Sequence, residues 1–156
     1  KFLAQEMGIP EKQIIVRDPT AKGFAKQLRD ALQANGIPGF DIVLESVGGH
    51  VFKSSYDCMN RNGRLVTFGA AHYMSHGDQA NWFSIIWKYL TRPKIDPGEL
   101  TGENKSIMGF NLIWLTDLID VLTPEMEHTL DLLKDSPPVV GSIYSFQKLK
   151  DGLTLL

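Results

Sequence analysis

Residues 41–70 read DIVLESVGGHVFKSSYDCMNRNGRLVTFGA. The order is strand, glycine turn, helix, glycine turn, strand. Asp41 to Val47 has an apolar centre (Ile42, Val43, Leu44) and stops at Gly48-Gly49. A short run rich in β-branched residues and closed by glycines predicts a strand buried on both faces. Val51, Phe52, Ser55 and Cys58-Met59 then recur at helical intervals and predict one inward face. Asn62-Gly63 predicts the helix end, because glycine tolerates the left-handed backbone found there. Arg64 to Phe68 predicts a second strand, closed by Gly69. Two strands joined by a helix make a βαβ unit, which implies a parallel pair and a right-handed crossover.

That unit also says where a ligand would lie. In open parallel sheets, ligands sit beyond the carboxyl ends of the strands. Here those ends are Ser46-Val47-Gly48-Gly49 and Phe68-Gly69-Ala70. Glycines there let a flat ligand approach the backbone with no Cβ in the way. They would equally serve as plain turns, and the pattern alone weighs the two roles about evenly.

The flanks extend the alternation. Lys1 to Gly8 reads as the last turns of a helix, with Phe2, Leu3 and Met7 inward and Gly8 as its cap. With no helix start before it, the chain reads as a piece of a longer protein. Gln13-Ile14-Ile15-Val16 predicts a strand, ended at Pro19. Gly23 to Ala34 predicts an amphipathic helix with Phe24, Leu28, Ala31 and Leu32 inward, capped at Asn35-Gly36. Strands alternating with helices predict an α/β, doubly wound parallel sheet.

After Ala70 the pattern loosens. His72 to Asn81 predicts a loop, Trp82 to Leu90 a helix, and Thr91 to Lys105, with Pro93, Pro97, Gly98 and Gly102, a second loop. Ser106 to Leu112 predicts a strand, Trp114 to Leu122 and Pro124 to Lys134 two helices, and Asp135-Ser136-Pro137-Pro138 a break. Val139 to Tyr144 predicts a strand, and Phe146 to Leu156 a final helix.

Composition narrows the class. With 156 residues the chain has room for one domain with a core. A net charge of −2 gives no support to a nucleic-acid or membrane-surface partner. A single cysteine excludes an internal disulfide and a multi-thiolate zinc site, and a lone thiol suits a reducing cytoplasm. Neither a signal peptide nor a transmembrane segment is expected.

The tandem motif, DIVLESVGG, then Phe52 and Ser55, then GRLVTFGA, resembles the cofactor domain of the medium-chain dehydrogenase/reductase superfamily. It is most similar to the zinc-independent quinone oxidoreductase-like branch. Lys1 to Gly8, Ile14 to Asp18, Ser106 to Leu112, and Ile143 to Gly152 keep step with that family, so the resemblance covers nearly the whole chain. It implies a Rossmann-like sheet over residues 1–156, incomplete at its N-terminal end. The family's first βα unit, with its phosphate-binding glycine turn, and its amino-terminal catalytic domain are expected before residue 1. Gly48-Gly49 is not that turn, since its spacing is wrong and it follows a later strand.

The resemblance implies NADPH as cofactor and hydride transfer to a quinone or activated enone. Val47 and Gly48 would border the adenosine-to-ribose side, Gly69 and Ala70 the nicotinamide ribose and pyrophosphate, and Phe110 with Asn111 the nicotinamide ring. Arg17 would sit near the adenine ribose, where a guanidinium could grip a 2′-phosphate; a solvated loop charge beside Asp18 is an equal alternative. It also implies a homodimer through the Ser106 to Leu112 strand, which would cover a free apolar edge.

Other candidates are weaker. His50 reads as a surface or capping residue. His72 and His76 lack a carboxylate or thiolate partner for a metal site. Cys58 reads as a small buried apolar residue rather than a nucleophile. The stripe Trp82, Phe83, Ile86, Trp87 and Leu90 reads as core or interface packing, with a substrate-channel wall or a membrane-facing patch as alternatives. No catalytic side chain is expected within these residues, because the nicotinamide itself carries hydride chemistry. Another Rossmann-type enzyme, such as a methyltransferase, and a non-catalytic binding protein of the quinone-reductase-like branch stay open beside this reading.

Overall fold

The computed structural model describes residues 2–73, 81–135, 137 and 139–154. Three parallel strands lie in the order β1 (Phe40–Glu45), β2 (Met59–Thr67), β3 (Ser106–Gly109). Helix α3 (Gly49–Asp57) joins β1 to β2; α4 (Trp82–Leu90) and α5 (Pro97–Glu103) lie between β2 and β3. The α/β expectation and the central βαβ unit are therefore met.

Register explains which face is buried. Val43, Leu65 and Ile107 are direct neighbours across the sheet. This row packs with Tyr56 and Phe52 of α3, Leu100 of α5 and Met59. Leu65 and Tyr56 are wholly buried. The rows on either side leave their apolar residues uncovered: Ile42, Leu44 and Met108 are 66%, 71% and 50% exposed. β1 is thus buried on one face, not both as its apolar run suggested, because α3 and α5 supply only one layer over this row.

A second cluster joins α2 (Ala21–Asn35) to α3 through Phe24, Leu28, Leu32, Val51 and Cys58. Thr20 caps α2 by accepting from the Gly23 N–H at 3.1 Å, and Gly36 closes it at φ +67°. The inward face and the C-terminal cap of α2 follow the sequence reading; the helix starts two residues earlier than expected, at Ala21.

Several expectations fail for identifiable reasons. Helix α3 stops at Asp57, with Cys58 as its C-cap, rather than at Asn62-Gly63. Met59 already pairs with Phe40, and the register then shifts before Ile42 meets Arg64. Asn62, at φ +64°, provides a left-handed residue inside β2 instead of a helix cap. Gln13 to Val16 forms no strand. Residues 11–13 make a 3-10 turn, and the extended segment after it bonds to side chains of α2. Gln27 donates to the Val16 carbonyl at 3.0 Å and accepts from the Asp18 N–H at 2.9 Å. At the start, α1 is a single turn (Phe2–Gln5), followed by Gly8 at φ +66°. Phe2, Leu3 and Met7 are exposed rather than inward. The predicted loop 91–105 contains α5, with Asp96 as N-cap and Pro97 in its first turn.

Residues Leu112–Leu156 form a unit separate from Lys1–Asn111. Here the two predicted helices are replaced by short 3-10 turns and one continuous helix, α6 (Ile119–Asp135), which carries Pro124 inside it. Residues 139–144 form no strand, because no ladder partner pairs with them among the described residues. A 3-10 turn, Phe146–Lys148, leads into α7 (Leu149–Thr154). Expectations for Lys1, His76, Ser136, Pro138 and Leu156 lie outside the described residues.

Candidate functional site

The carboxyl ends of the strands meet side by side. Beyond β1 and β2, the Phe68 N–H donates to the Glu45 carbonyl at 3.0 Å and the His72 N–H to the Val47 carbonyl at 2.7 Å. Beyond β2 and β3, the Phe110 N–H donates to the Thr67 carbonyl at 3.1 Å. The segments that follow all three strands are therefore stitched into one continuous rim.

Glycine makes that rim close. A Cβ built at Gly69 would fall on the Ser46 carbonyl oxygen. Packing between tips thus requires Gly69 before any ligand does. Gly48 has φ +84° and Gly49 φ +58°, a backbone that L side chains rarely adopt. Glu45 holds this turn: its buried carboxylate accepts from the Val47 and Gly48 N–H groups, both at 2.7 Å. The sequence reading missed Glu45. Its signal was an acid directly after the apolar run Ile42-Val43-Leu44, at the last position of the strand.

Two cavities lie on the rim. One, of about 260 Å³, is lined by Thr67, Phe68, Gly69, Ala70, Gly109, Phe110 and Asn111. The Phe68 and Phe110 rings stack beside it, with centroids 5.9 Å apart. Four expected site residues, Gly69, Ala70, Phe110 and Asn111, are brought together here. The other cavity, of about 240 Å³, is lined by Arg17, Val47, His50, Ala71, His72 and Lys88. It unites Arg17 and Val47 and adds His50, His72 and Lys88; His50, expected as a surface or capping residue, is half-buried here. Gly48 lines neither cavity; a Cβ there would lie 3.3 Å from the Tyr73 ring. A larger cavity, of about 410 Å³, lies between α2 and the start of β1, away from these tips.

Electrostatics separate the two cavities. No charged side chain lines the first among the described residues. In the second, burial pushes the His72 imidazole below its ordinary pKa, and the nearby Lys88, His50 and Arg17 push it the same way. Cys58 is buried in the α2–α3 core, away from both cavities; burial pushes its thiol up, which disfavours thiolate. Among the described residues, no group of three or more His, Cys, Asp or Glu is placed to hold a metal ion. Among the described residues, no helix is long and apolar enough to cross a membrane. Trp82, Phe83, Ile86, Trp87 and Leu90 are all exposed, so this stripe is not core within the chain.

Comparison with known proteins places this geometry. No protein-family model matches the chain. The synaptic vesicle membrane protein VAT-1 homolog of Danio rerio is 26% identical over 117 residues, covering 74% of this chain and 24% of that protein. A highly-reducing polyketide synthase of Aureobasidium melanogenum is 38% identical over 71 residues, covering 46% of this chain and 3% of that protein. The structure of CurA in complex with NADPH from Vibrio vulnificus superimposes with a TM-score of 0.56 at 19% identity. It covers 99% of this chain and 42% of that one.

The chain resembles the quinone oxidoreductase-like branch of the medium-chain dehydrogenase/reductase superfamily. The likeness to CurA is one of fold. Both the sequence relatives and the structural neighbour are much longer than this chain, which spans about a quarter of the VAT-1 homolog. The described sheet is a Rossmann-like parallel sheet of three strands.

Proposed function

We propose that this chain is the cofactor-binding part of an NADPH-dependent oxidoreductase that reduces a quinone or activated enone. The observation that carries the reading is the continuous rim where three parallel strands end, with a cavity against Gly69, Ala70, Phe110 and Asn111. The rim fits a dinucleotide on structural grounds. It offers backbone without side chains at Gly69, a flat aromatic pair at Phe68 and Phe110, and basic groups at its far side. The fold shared with a chain that holds NADPH supports it further.

When bound, the dihydronicotinamide supplies the hydride. The chain's own residues orient and shield. Phe110 and Asn111 flank the ring's position and Gly69-Ala70 the adjoining ribose. Phe68 and Phe110 keep water from one side of the cavity, where dryness strengthens every polar contact. Val47 and Gly48 border the adenosine ribose, and Arg17 grips its 2′-phosphate. No side chain here acts as acid or base.

The remaining parts of the enzyme, a first βα unit and a catalytic domain, belong to sequence outside these residues. Among the described residues β1 has an open edge, and the sheet face that carries Ile42 and Leu44 is uncovered, which supports this. A homodimer forms through the outer edge of β3, which has no strand partner among the described residues. The chemistry is zinc-independent, and the single buried thiol suits a cytoplasmic setting.

Titrating the full-length protein with NADPH, followed by nicotinamide fluorescence, tests the reading. Saturable enhancement is expected. Arg17→Ala should raise the NADPH dissociation constant more than the NADH one; equal effects would remove Arg17 from the site, and no binding of either would remove the function.

A further inference from the structure

Among the described residues Glu45 is the only buried acid, 3% exposed, and it has no ion pair there. A buried carboxylate without a cation is costly unless hydrogen bonds hold it. Hydride transfer by a nicotinamide gives it no chemical task. Glu45 stands opposite Thr67 on the last rung of the β1–β2 ladder, and its carbonyl accepts the Phe68 N–H at 3.0 Å.

The carboxylate divides its bonds between the two strand tips. Oε1 accepts the Val47 and Gly48 N–H groups, each at 2.7 Å. Oε2 faces the Thr67 hydroxyl, which donates to it across a long 3.5 Å. Val47 lines one rim cavity and Thr67 the other, whereas Glu45 is not among the lining residues of either. One side chain thus reaches a wall residue of each cavity from beneath. The turn it holds needs such a tie. Glycine has the most backbone freedom to lose on ordering, and Gly48-Gly49 places two in a row, at φ +84° and +58°. Two short bonds to one fixed oxygen order that pair before any ligand arrives.

We propose that Glu45 is a positioning residue for the dinucleotide. Its carboxylate presets the Val47–Gly48 turn and ties it to Thr67, so both cavities are formed ahead of binding and less ordering remains to be done when the cofactor enters. The inference rests on the function proposed above.

NADPH titration of full-length variants, followed by nicotinamide fluorescence, tests it. Glu45→Met keeps the length of the side chain and removes both acceptors. Glu45→Gln keeps an amide oxygen for the Val47 and Gly48 N–H groups and an amide nitrogen that can donate to the Thr67 hydroxyl oxygen. Leaving two buried donors unmatched should weaken NADPH about tenfold in Glu45→Met, and Glu45→Gln should restore it to within about threefold of the parent. Leu65→Ala is the control, since it opens the core below the rim without touching the tips. It should lower stability and leave NADPH affinity unchanged. Parent-like NADPH affinity in Glu45→Met overturns the positioning role. So does a loss of NADPH affinity in Leu65→Ala as large as that in Glu45→Met, because general loosening would then account for both. Where Glu45→Met does not fold, Thr67→Val decides: weaker NADPH at parental stability supports the tie, and unchanged affinity overturns it. A parent that binds no NADPH removes the function itself, whereas a parent that binds beside an unaffected Glu45→Met removes only this role.

Discussion

Replacing Gly69 with alanine probes the contact on which the rim is built. The added Cβ would land on the Ser46 carbonyl oxygen, a backbone atom that cannot swing aside. Relief requires the segments after β1 and β2 to separate. Two hydrogen bonds flank the collision: Phe68 N–H to Glu45 at 3.0 Å and Ala71 N–H to Ser46 at 3.4 Å. Losing either costs about 0.5–1.5 kcal/mol, and forcing a methyl into packed backbone costs about 1–3 kcal/mol. The overlapping contributions predict a destabilisation of about 1–3 kcal/mol. Urea unfolding should show a lower midpoint at unchanged m value. Gly102→Ala is the control, since nothing lies within 4 Å of that position in α5. It should stabilise by about 0.5–1 kcal/mol through helix propensity. Gly69→Ala as stable as the parent would refute the argument that the tips meet too closely for a side chain.

Other consequences follow from the same packing. Leu65→Ala should cost about 2–5 kcal/mol in urea unfolding, since Leu65 is wholly buried in the Val43–Leu65–Ile107 row. A loss under 1 kcal/mol would contradict the row as the core. Asp18, whose carboxylate accepts from the Thr20 hydroxyl and N–H, is held below its ordinary pKa by the hydroxyl bond first. Its contribution is present above the unfolded pKa of about 3.9 and lost as pH falls through the lower folded value. Wild type should therefore lose its advantage over Asp18→Asn as acid is added; a constant difference from neutral pH to pH 3 would exclude this. Cys58, buried with its thiol pushed up, should alkylate slowly at neutral pH and faster in denaturant. Fast labelling of the folded protein would contradict its placement.

Particular residues show what the sequence could reveal. The unit β1–α3–β2 was legible because apolar runs, helical spacing and glycine stops act within a few residues. Gly69, Ala70, Phe110 and Asn111 converge on one cavity because β2 and β3 are neighbours in register. Asn62-Gly63 misled because a left-handed residue serves a helix cap and an irregular strand equally. Asp96-Pro97 reads as a break, yet the same pair starts a helix. Gln13 to Val16 has strand composition, but α2 side chains bond the backbone at its ends: Gln27 donates to the Val16 carbonyl and accepts from the Asp18 N–H, and Asn35 donates to the Lys12 carbonyl. The basic cavity was hidden for the same reason: Lys88 and His72 lie far from Arg17 in the chain, and only tertiary packing joins them.

Amide chemical shifts of the full-length protein, recorded while NADPH is added, test most directly whether a dinucleotide lies across the strand tips. The account predicts saturable shifts at Gly48, Gly69, Ala70, Phe110 and Asn111, with little change at Leu28 or Leu32 of α2. NADPH binding that leaves those five amides unmoved would contradict it.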